Sequence, residues 1–572
     1  MEWRIIDGIG PFFQANQGKQ RINWSKIPFA DLEQGNRIDS GLKKSITADF
    51  ERLIDRVSAL GFNAVTLDDV AHILPVPAYP ESLSQKIAYY RDFYSNLFSI
   101  AAERQIAVLM TTDVMFYNDV LRSMIGKRVP NVAAFLKEEL NNLFREFPSI
   151  AGIVTRIGES DGLDVKGDFH SELIIRTPHQ ARVLLKSLLP VFESNGRTWI
   201  FRTWGVGAYA IGDLMWNRVT FERTFRGINS PNLIVSHKYG ESDFFRYLPL
   251  NKQLLRGGCR KIIELQARRE YEGFGEYPSF IGWDYEIYAR QLRNRSDIAG
   301  FSVWCQTGGW TSFRRRTFLD TNAIWNELNT QVTIDIFKRG WTVETSVAQW
   351  LETWYPHIPA KQFLVFLRLS DEVIKELLYI DQFSQRKLFF RRVRVPPLLW
   401  VYWDHIIINH SMRKMLRCFV TDGEAKVLQG RMALAKITDM REMAENWGLP
   451  ARDLQFQYDT FKILAAARAY YFQEFNPEII RKIKELTKEY RQTYSSRYAI
   501  RLNAKPMPLS RRLFKRGLRI ILRDQRRYRV LDHLLTIRIL AWFYPLLRRF
   551  SQNRLPTTFA DQQAMGIDTV FR

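Results

Sequence analysis

Residues 262–272 read Ile-Ile-Glu-Leu-Gln-Ala-Arg-Arg-Glu-Tyr-Glu. An apolar run, 262–265, passes within a few residues into carboxylates, an amide and an aromatic ring. The run is short and nearly continuous, which reads as a strand buried on both faces. Seven more runs of this kind occur, at 3–6, 64–67, 106–110, 153–155, 198–201, 233–235 and 301–304. Helical patterns lie between them. One spans 45–60, with Ser45 or Thr47 as N-cap and Gly61 at its end. Thr177-Pro178 opens another, running to 192, with proline in its first turn. The stretches 132–147 and 285–292 read likewise, with Asn131 and Asp284 as N-caps. Eight strands alternating with helices predict an α/β fold, a (β/α)8 TIM barrel. An open doubly wound sheet is the alternative, and the lack of a glycine-rich phosphate loop favours closure.

From about residue 324 the rhythm changes. Apolar residues recur at helical spacing in 343–354, 363–378, 397–415, 424–447 and 451–472. The organisation expected is a barrel over 1–323, a mostly α-helical domain over 324–480 packed on it, and a basic helical C-terminal extension over 481–572.

Composition narrows the class. The chain has 572 residues, is 46% hydrophobic and holds 16 Trp, 39 Phe and 23 Tyr, which excludes disorder as a description of the whole. Its three cysteines, Cys259, Cys305 and Cys418, suit neither a disulfide framework nor a zinc-knuckle spacing, so a reducing compartment is expected. The N-terminus has no basic stretch followed by an apolar core, and no uncharged apolar run reaches the roughly 20 residues of a membrane span. A cytoplasmic location is expected. The net charge of +23 comes mainly from residues 481–560, which carry 21 Lys+Arg against 4 Asp+Glu. Residues 1–480 hold only +7, so the charge does not mark the whole chain as a nucleic-acid binder.

In a barrel, chemistry is read at the C-terminal ends of the strands. Those ends carry Asp68-Asp69, Asp113, Arg156 with Glu159 and Asp161, Arg202-Thr203-Trp204, and His237-Lys238 with Glu241 and Asp243. Strand seven adds Glu264, Gln266 and Glu270-Tyr271-Glu272; strand eight adds Trp304-Cys305-Gln306. Carboxylates facing one another between aromatic walls suit glycosidic bond cleavage, which needs one protonated acid and one carboxylate. Arg156, Arg202 and Lys238 would bind an anionic group of the substrate. An internal salt-bridge network is the structural alternative.

Several strings resemble the catalytic barrel of the family 67 glycoside hydrolases, the α-glucuronidases, over about 150–355. Ile263-Glu264-Leu265-Gln266-Ala267-Arg268-Arg269-Glu270-Tyr271 is close to that family's strand-seven signature. Lys238-Tyr239-Gly240-Glu241-Ser242-Asp243-Phe244 matches its lysine five residues before an Asp-Phe pair. Gly196-Arg197-Thr198-Trp199-Ile200-Phe201-Arg202 and the acidic string from Arg156 to Gly162 resemble strands five and four; Gly300-Phe301 and the Ala348/Trp350 region are weaker echoes. The resemblance implies an inverting hydrolase of terminal α-linked glucuronic or 4-O-methylglucuronic acid. Asp243 and Glu270 stand at the paired general-base positions, and Arg156, Arg202 and Lys238 where the family grips the uronate. The acid falls on Glu159 or Asp161, because the order of glutamate and aspartate is swapped here. The family carries a domain before its barrel, and its pattern has no counterpart of the basic tail.

Trp204, Trp304 and Trp310 are candidates to stack on sugar rings. Glu272 and Glu276 read as supporting residues or solvated loop charges, and Glu264 as a buried partner. His237 either contacts substrate or points outward. His405 and His410, with Asp404, fall in one apolar helix, where packing is the favoured role over metal binding. No metal or cofactor is called for. The expected partner is an acidic carbohydrate. The basic C-terminal helices, including 534–550 with Trp542, Phe543 and Tyr544, offer a solvated surface first, an anionic membrane surface or a partner second, and a hold on acidic polymer third. Oligomeric state is left open, a homo-oligomer included.

Overall fold

The computed structural model describes residues 1–16, 26–157, 167–205, 209–306, 323–390, 392–402, 404–495, 497–505 and 510–523. Eight parallel strands close into a barrel: β1 Trp3–Asp7, β2 Ala64–Leu67, β3 Ala107–Asp113, β4 Ile150–Arg156, β5 Thr198–Arg202, β6 Leu233–Lys238, β7 Arg260–Gln266 and β8 Ile298–Trp304. All eight runs read from the sequence are these strands, in order. Their continuous apolar character follows from the architecture, since each strand meets the barrel interior on one face and helices on the other.

The barrel closes where β8 pairs with β1. There Gly300 lies opposite Trp3, and a Cβ on Gly300 would come within 1.9 Å of the Trp3 carbonyl oxygen. Only glycine permits this approach.

Helices follow seven of the strands: α1 Ser40–Leu60, α2 Glu81–Glu103, α3 Val129–Glu146, α4 Pro178–Ser194, α5 Arg218–Phe225, α6 Gly282–Leu292 and α7 Ile324–Ile334. The α4 start is as expected: Thr177 caps it and exchanges hydrogen bonds with Gln180 in a capping box. The α1 start differs. Asp39 accepts from the Gly41 and Leu42 amides, so the helix begins five residues before Ser45. Neither Asn131 nor Asp284 is a cap, because α3 begins at Val129 and α6 at Gly282. Between β6 and β7 the chain runs without a helix, as a loop over 239–259.

Beyond the barrel come α8 Val343–Trp354, α9 Ala360–Val373, α10 His410–Phe419, α11 Gly423–Asn446, α12 Ala451–Phe472, α13 Pro477–Thr493 and α14 Arg511–Ile521. The single helix expected over 397–415 is not formed. Residues His405–Asn409 are a strand, β9, paired in parallel with β10, Ala499–Asn503, and antiparallel with Val401–Tyr402. Ile406-Ile407-Ile408 is three β-branched residues in a row, which resist helix and suit a buried strand. Asn409 then caps α10 by accepting from the Met412 amide. His405 and His410 therefore lie on different elements. His405 pairs with Asp404, and the His410 ring is 3.5 Å from the Tyr470 hydroxyl. Among the described residues no helix is long and apolar enough to cross a membrane. The segment 534–550 lies outside the described residues.

Candidate active site

The barrel interior is layered. Ile5, Ala64, Leu109, Val154, Ile200, Ile234, Ile262 and Ala299, one from each strand, form an apolar cluster. Side chains alternate along a strand, so the next inward position is two residues on. On β1 to β7 those positions are Asp7, Thr66, Thr111, Arg156, Arg202, Ser236 and Glu264, all polar and all buried. The apolar layer plugs the barrel, and polar chemistry is confined to its C-terminal mouth.

One half of the mouth is built on β5 to β8. Arg202 grips Glu264 with both arms: its Nε donates to Oε1 at 2.9 Å and its terminal nitrogen to Oε2 at 2.7 Å. The Ser236 hydroxyl donates to Oε1 at 2.5 Å and the Trp304 indole to Oε2 at 3.3 Å. Burial would raise the Glu264 carboxyl, but the Arg202 charge and these donors hold it down to about 2. The Arg202 guanidinium also lies 4.6 Å from the Trp304 ring centre.

Lys238, at the end of β6, donates to Asp243 Oδ1 at 2.7 Å, and its ammonium sits 4.3 Å from the Trp204 ring centre. Asp243 also accepts from its neighbour's amide, Phe244, at 2.9 Å and from the Tyr271 hydroxyl at 3.0 Å. Glu270 stands on the loop after β7. Its amide donates to Gln266 Oε1 at 2.9 Å, but its own Oε1 is buried and meets no donor among the described residues. Burial first, and the adjacent Asp243 charge second, push the Glu270 carboxyl well above the usual carboxylate range, against the pull of Lys238. The arrangement is a pair of carboxyls, one served by three donors and one poised to keep a proton.

The other half is built on β2 to β4. Arg156 Nε donates to Asp113 Oδ1 at 3.0 Å, and its guanidinium lies 3.5 Å from Asp68. Asp113 is also held by Lys26 and Ser171, and Asp68 by Thr111 and the Ile27 amide. Burial outweighs the Arg156 charge at Asp68 and lifts its carboxyl to about 6. The structure therefore gathers Arg202, Lys238, Asp243, Glu270, Trp204 and Trp304 on one side, and sets Arg156 on the other among its own carboxylates. Each of the three cations already faces an anion. Glu159, Asp161 and Trp310 lie outside the described residues. His237 points outward, 3.0 Å from the Thr203 hydroxyl and packed against Phe221 of α5; burial lowers it to about 3.

Glu272 and Glu276 are buried, not solvated loop charges. Arg269 grips Glu272 at 2.6 and 3.0 Å, and Arg246 approaches it at 3.2 Å while donating to Asp371 of α9 at 2.7 Å. Tyr379 donates to Glu272 at 2.9 Å. This cluster ties the loop bearing Asp243 to the loop bearing Glu270, and ties both to the helical region. The helical region also supplies mouth wall: Phe389 packs with Met215, Trp216 and the half-buried Trp204. Sequence reasoning missed Lys26 and Arg246. Neither lies on a strand, and the only available signal for Arg246 was its place three residues after Asp243.

No family model and no curated protein matches the chain. Among solved structures, a GH138 enzyme targeting pectin rhamnogalacturonan II is similar, with TM-score 0.50, 12% identity and coverage of 87% of this chain. The chain spans 62% of that enzyme's length. A GH84 protein matches with TM-score 0.38 and 11% identity over 82% of this chain and 74% of its own. A D-psicose 3-epimerase from Clostridium cellulolyticum H10 matches with TM-score 0.29 and 10% identity, over 51% of this chain and 93% of its own. At these identities the likeness is one of fold.

Proposed function

We propose that the protein is a glycoside hydrolase that removes a terminal uronic acid from an oligo- or polysaccharide with inversion. The observation that carries this is the Asp243/Glu270 pair, with its buried, donorless Oε1 beside a carboxylate that is held by Lys238 and Tyr271. Water bound at the pair attacks the anomeric carbon. Its proton passes to Asp243, while Glu270, which keeps its own proton, orients that water. The bond from the anomeric carbon to the glycosidic oxygen breaks as Glu159 or Asp161 protonates the leaving oxygen. Lys238, with Arg202 on the same side and Arg156 across the mouth, favours a substrate bearing a carboxylate, and Trp204 and Trp304 offer ring faces to the sugar. The barrel fold shared with a pectin-directed GH138 enzyme agrees with this class of chemistry. No metal or cofactor has a part in the scheme.

A second reading is favoured by one feature: Arg156, Arg202 and Lys238 are each already matched by a carboxylate. On that reading the barrel binds acidic carbohydrate without cleaving it. Aryl and oligosaccharide α- and β-uronides, followed by NMR for the product anomer, decide between the two. The wild type is expected to release an inverted uronic acid, with turnover about 10²- to 10⁴-fold lower in Asp243→Asn and in Glu270→Gln. Binding without turnover across the panel would establish the second reading instead.

A further inference from the structure

A cavity lies far along the chain from the barrel strands, between α13 and β10. It measures about 510 Å³, within the range of small-ligand sites. Lys484, Lys488 and Arg491 line one wall, and Ile500 and Leu502 form the floor. The three cations are spaced i, i+4 and i+7, so they share one face of α13. A row of like charges at that spacing opposes helix formation unless an anion sits over it. Among the described residues no carboxylate comes within ion-pair distance of any of them. The ion pairs of this helix, Arg481 with Glu478 and with Glu485, involve other positions. Arg491 keeps one hydrogen bond, donated to the Ile500 carbonyl at 2.8 Å, which fixes it at the groove's edge. Thr487 and Gln492 complete the lining with a hydroxyl and an amide.

We infer that this groove is a binding site for an extended anionic carbohydrate, a stretch of polyuronate, separate from the barrel mouth. That the anion is a uronate rests on the hydrolase reading above; that the site takes a polyanion rests on its charges. Among the described residues the lining has no aromatic ring on which a nucleobase could stack, which disfavours single-stranded nucleic acid. Aliphatic floor, hydroxyl, amide and spaced cations match the apolar ring face, hydroxyls and regularly spaced carboxylates of a uronate chain. The groove is also fastened to the proposed active site. Immediately before β10, Arg497 pairs with Glu276 at 3.0 Å and the Tyr498 hydroxyl lies 3.4 Å from that of Tyr277, both on the loop that carries Glu270. A polymer held in the groove is thereby tethered to the body that acts on its end, which raises the local concentration of that end.

Calorimetric titration of the full-length Asp243→Asn protein with a short oligogalacturonate tests this, because that variant leaves the probe intact. Adding Lys484→Gln and Lys488→Gln is expected to weaken binding about tenfold and to flatten its salt dependence. Lys482→Gln, on the same helix but outside the lining, is expected to change neither, and unchanged melting temperatures show that all variants fold. Equal binding by all three proteins would overturn the inference. So would tighter, lysine-dependent binding of single-stranded DNA or anionic vesicles than of oligogalacturonate. Lysine-dependent binding of oligogalacturonate by a protein whose wild type hydrolyses no uronide would leave the groove standing and remove the hydrolase reading.

Discussion

The two halves of the barrel mouth use the same residue types to opposite ends. On the β2–β4 side, Asp68, Asp113, Arg156 and Lys26 close upon one another, and both Asp113 oxygens accept hydrogen bonds. On the β5–β8 side, Glu264 is closed in the same way, but Glu270, one turn of loop away, is left with a buried oxygen that no donor meets. A buried carboxyl oxygen that no donor meets costs folding free energy. Under the proposed function, its presence beside a satisfied copy of the same chemistry distinguishes Glu270 from the carboxylates that hold the mouth together. Charge density alone could not make that separation.

The comparison breaks most visibly under substitution. Asp113→Asn removes the anion from two buried cations and is expected to cost about 3–5 kcal/mol of stability. Glu270→Gln, which removes no satisfied ion pair, is expected to cost no stability in denaturant titrations at neutral pH. Equal losses in the two variants would end the distinction.

Acid sharpens it. The folded Glu264 carboxyl is depressed to about 2. Its contribution is therefore present above its unfolded pKa and lost as pH falls from there towards 2. The loss is on the order of 3 kcal/mol. Unfolding curves of wild type and Glu264→Gln are expected to converge over that acid window.

The effect at Glu270 has the opposite sign. The folded Glu270 carboxyl is raised, so its contribution is full below the unfolded pKa and lost as pH rises through the folded value. The melting temperature of Glu270→Gln relative to wild type is expected to rise between about pH 5 and about pH 9. A flat difference would mean that Glu270 is not held protonated.

Much of the fold was legible because the barrel imposes a rule that short sequence windows obey. Each strand must be apolar through its middle and polar at one end, and all eight runs, 262–265 among them, display it. The region 397–415 misled because an apolar run of helical length conceals a strand and a helix in succession. The informative feature there is the branched triplet Ile406–Ile408, not the spacing. At the site, Lys238, Asp243 and Glu270 were legible from their strand-end positions. The grip of Asp113 and Asp68 on Arg156, and of Glu264 on Arg202, was not. Which carboxylate meets which cation depends on registers between strands tens of residues apart in the chain. The role of Arg246 was hidden for the same reason, since its partners Glu272 and Asp371 come from two different parts of the chain.

That guanidinium bears on ancestry as well as stability. Arg246 divides itself between a carboxylate of the barrel loops and one of α9, with Tyr379 bonded to both Glu272 and the Arg246 amide. Recombination that brought in a different helical partner would strand buried charges on both sides of the join. The barrel and its helical companion are thus expected to be inherited together. A barrel found elsewhere with its own helical companion need not have shared this one's history, however similar its strands.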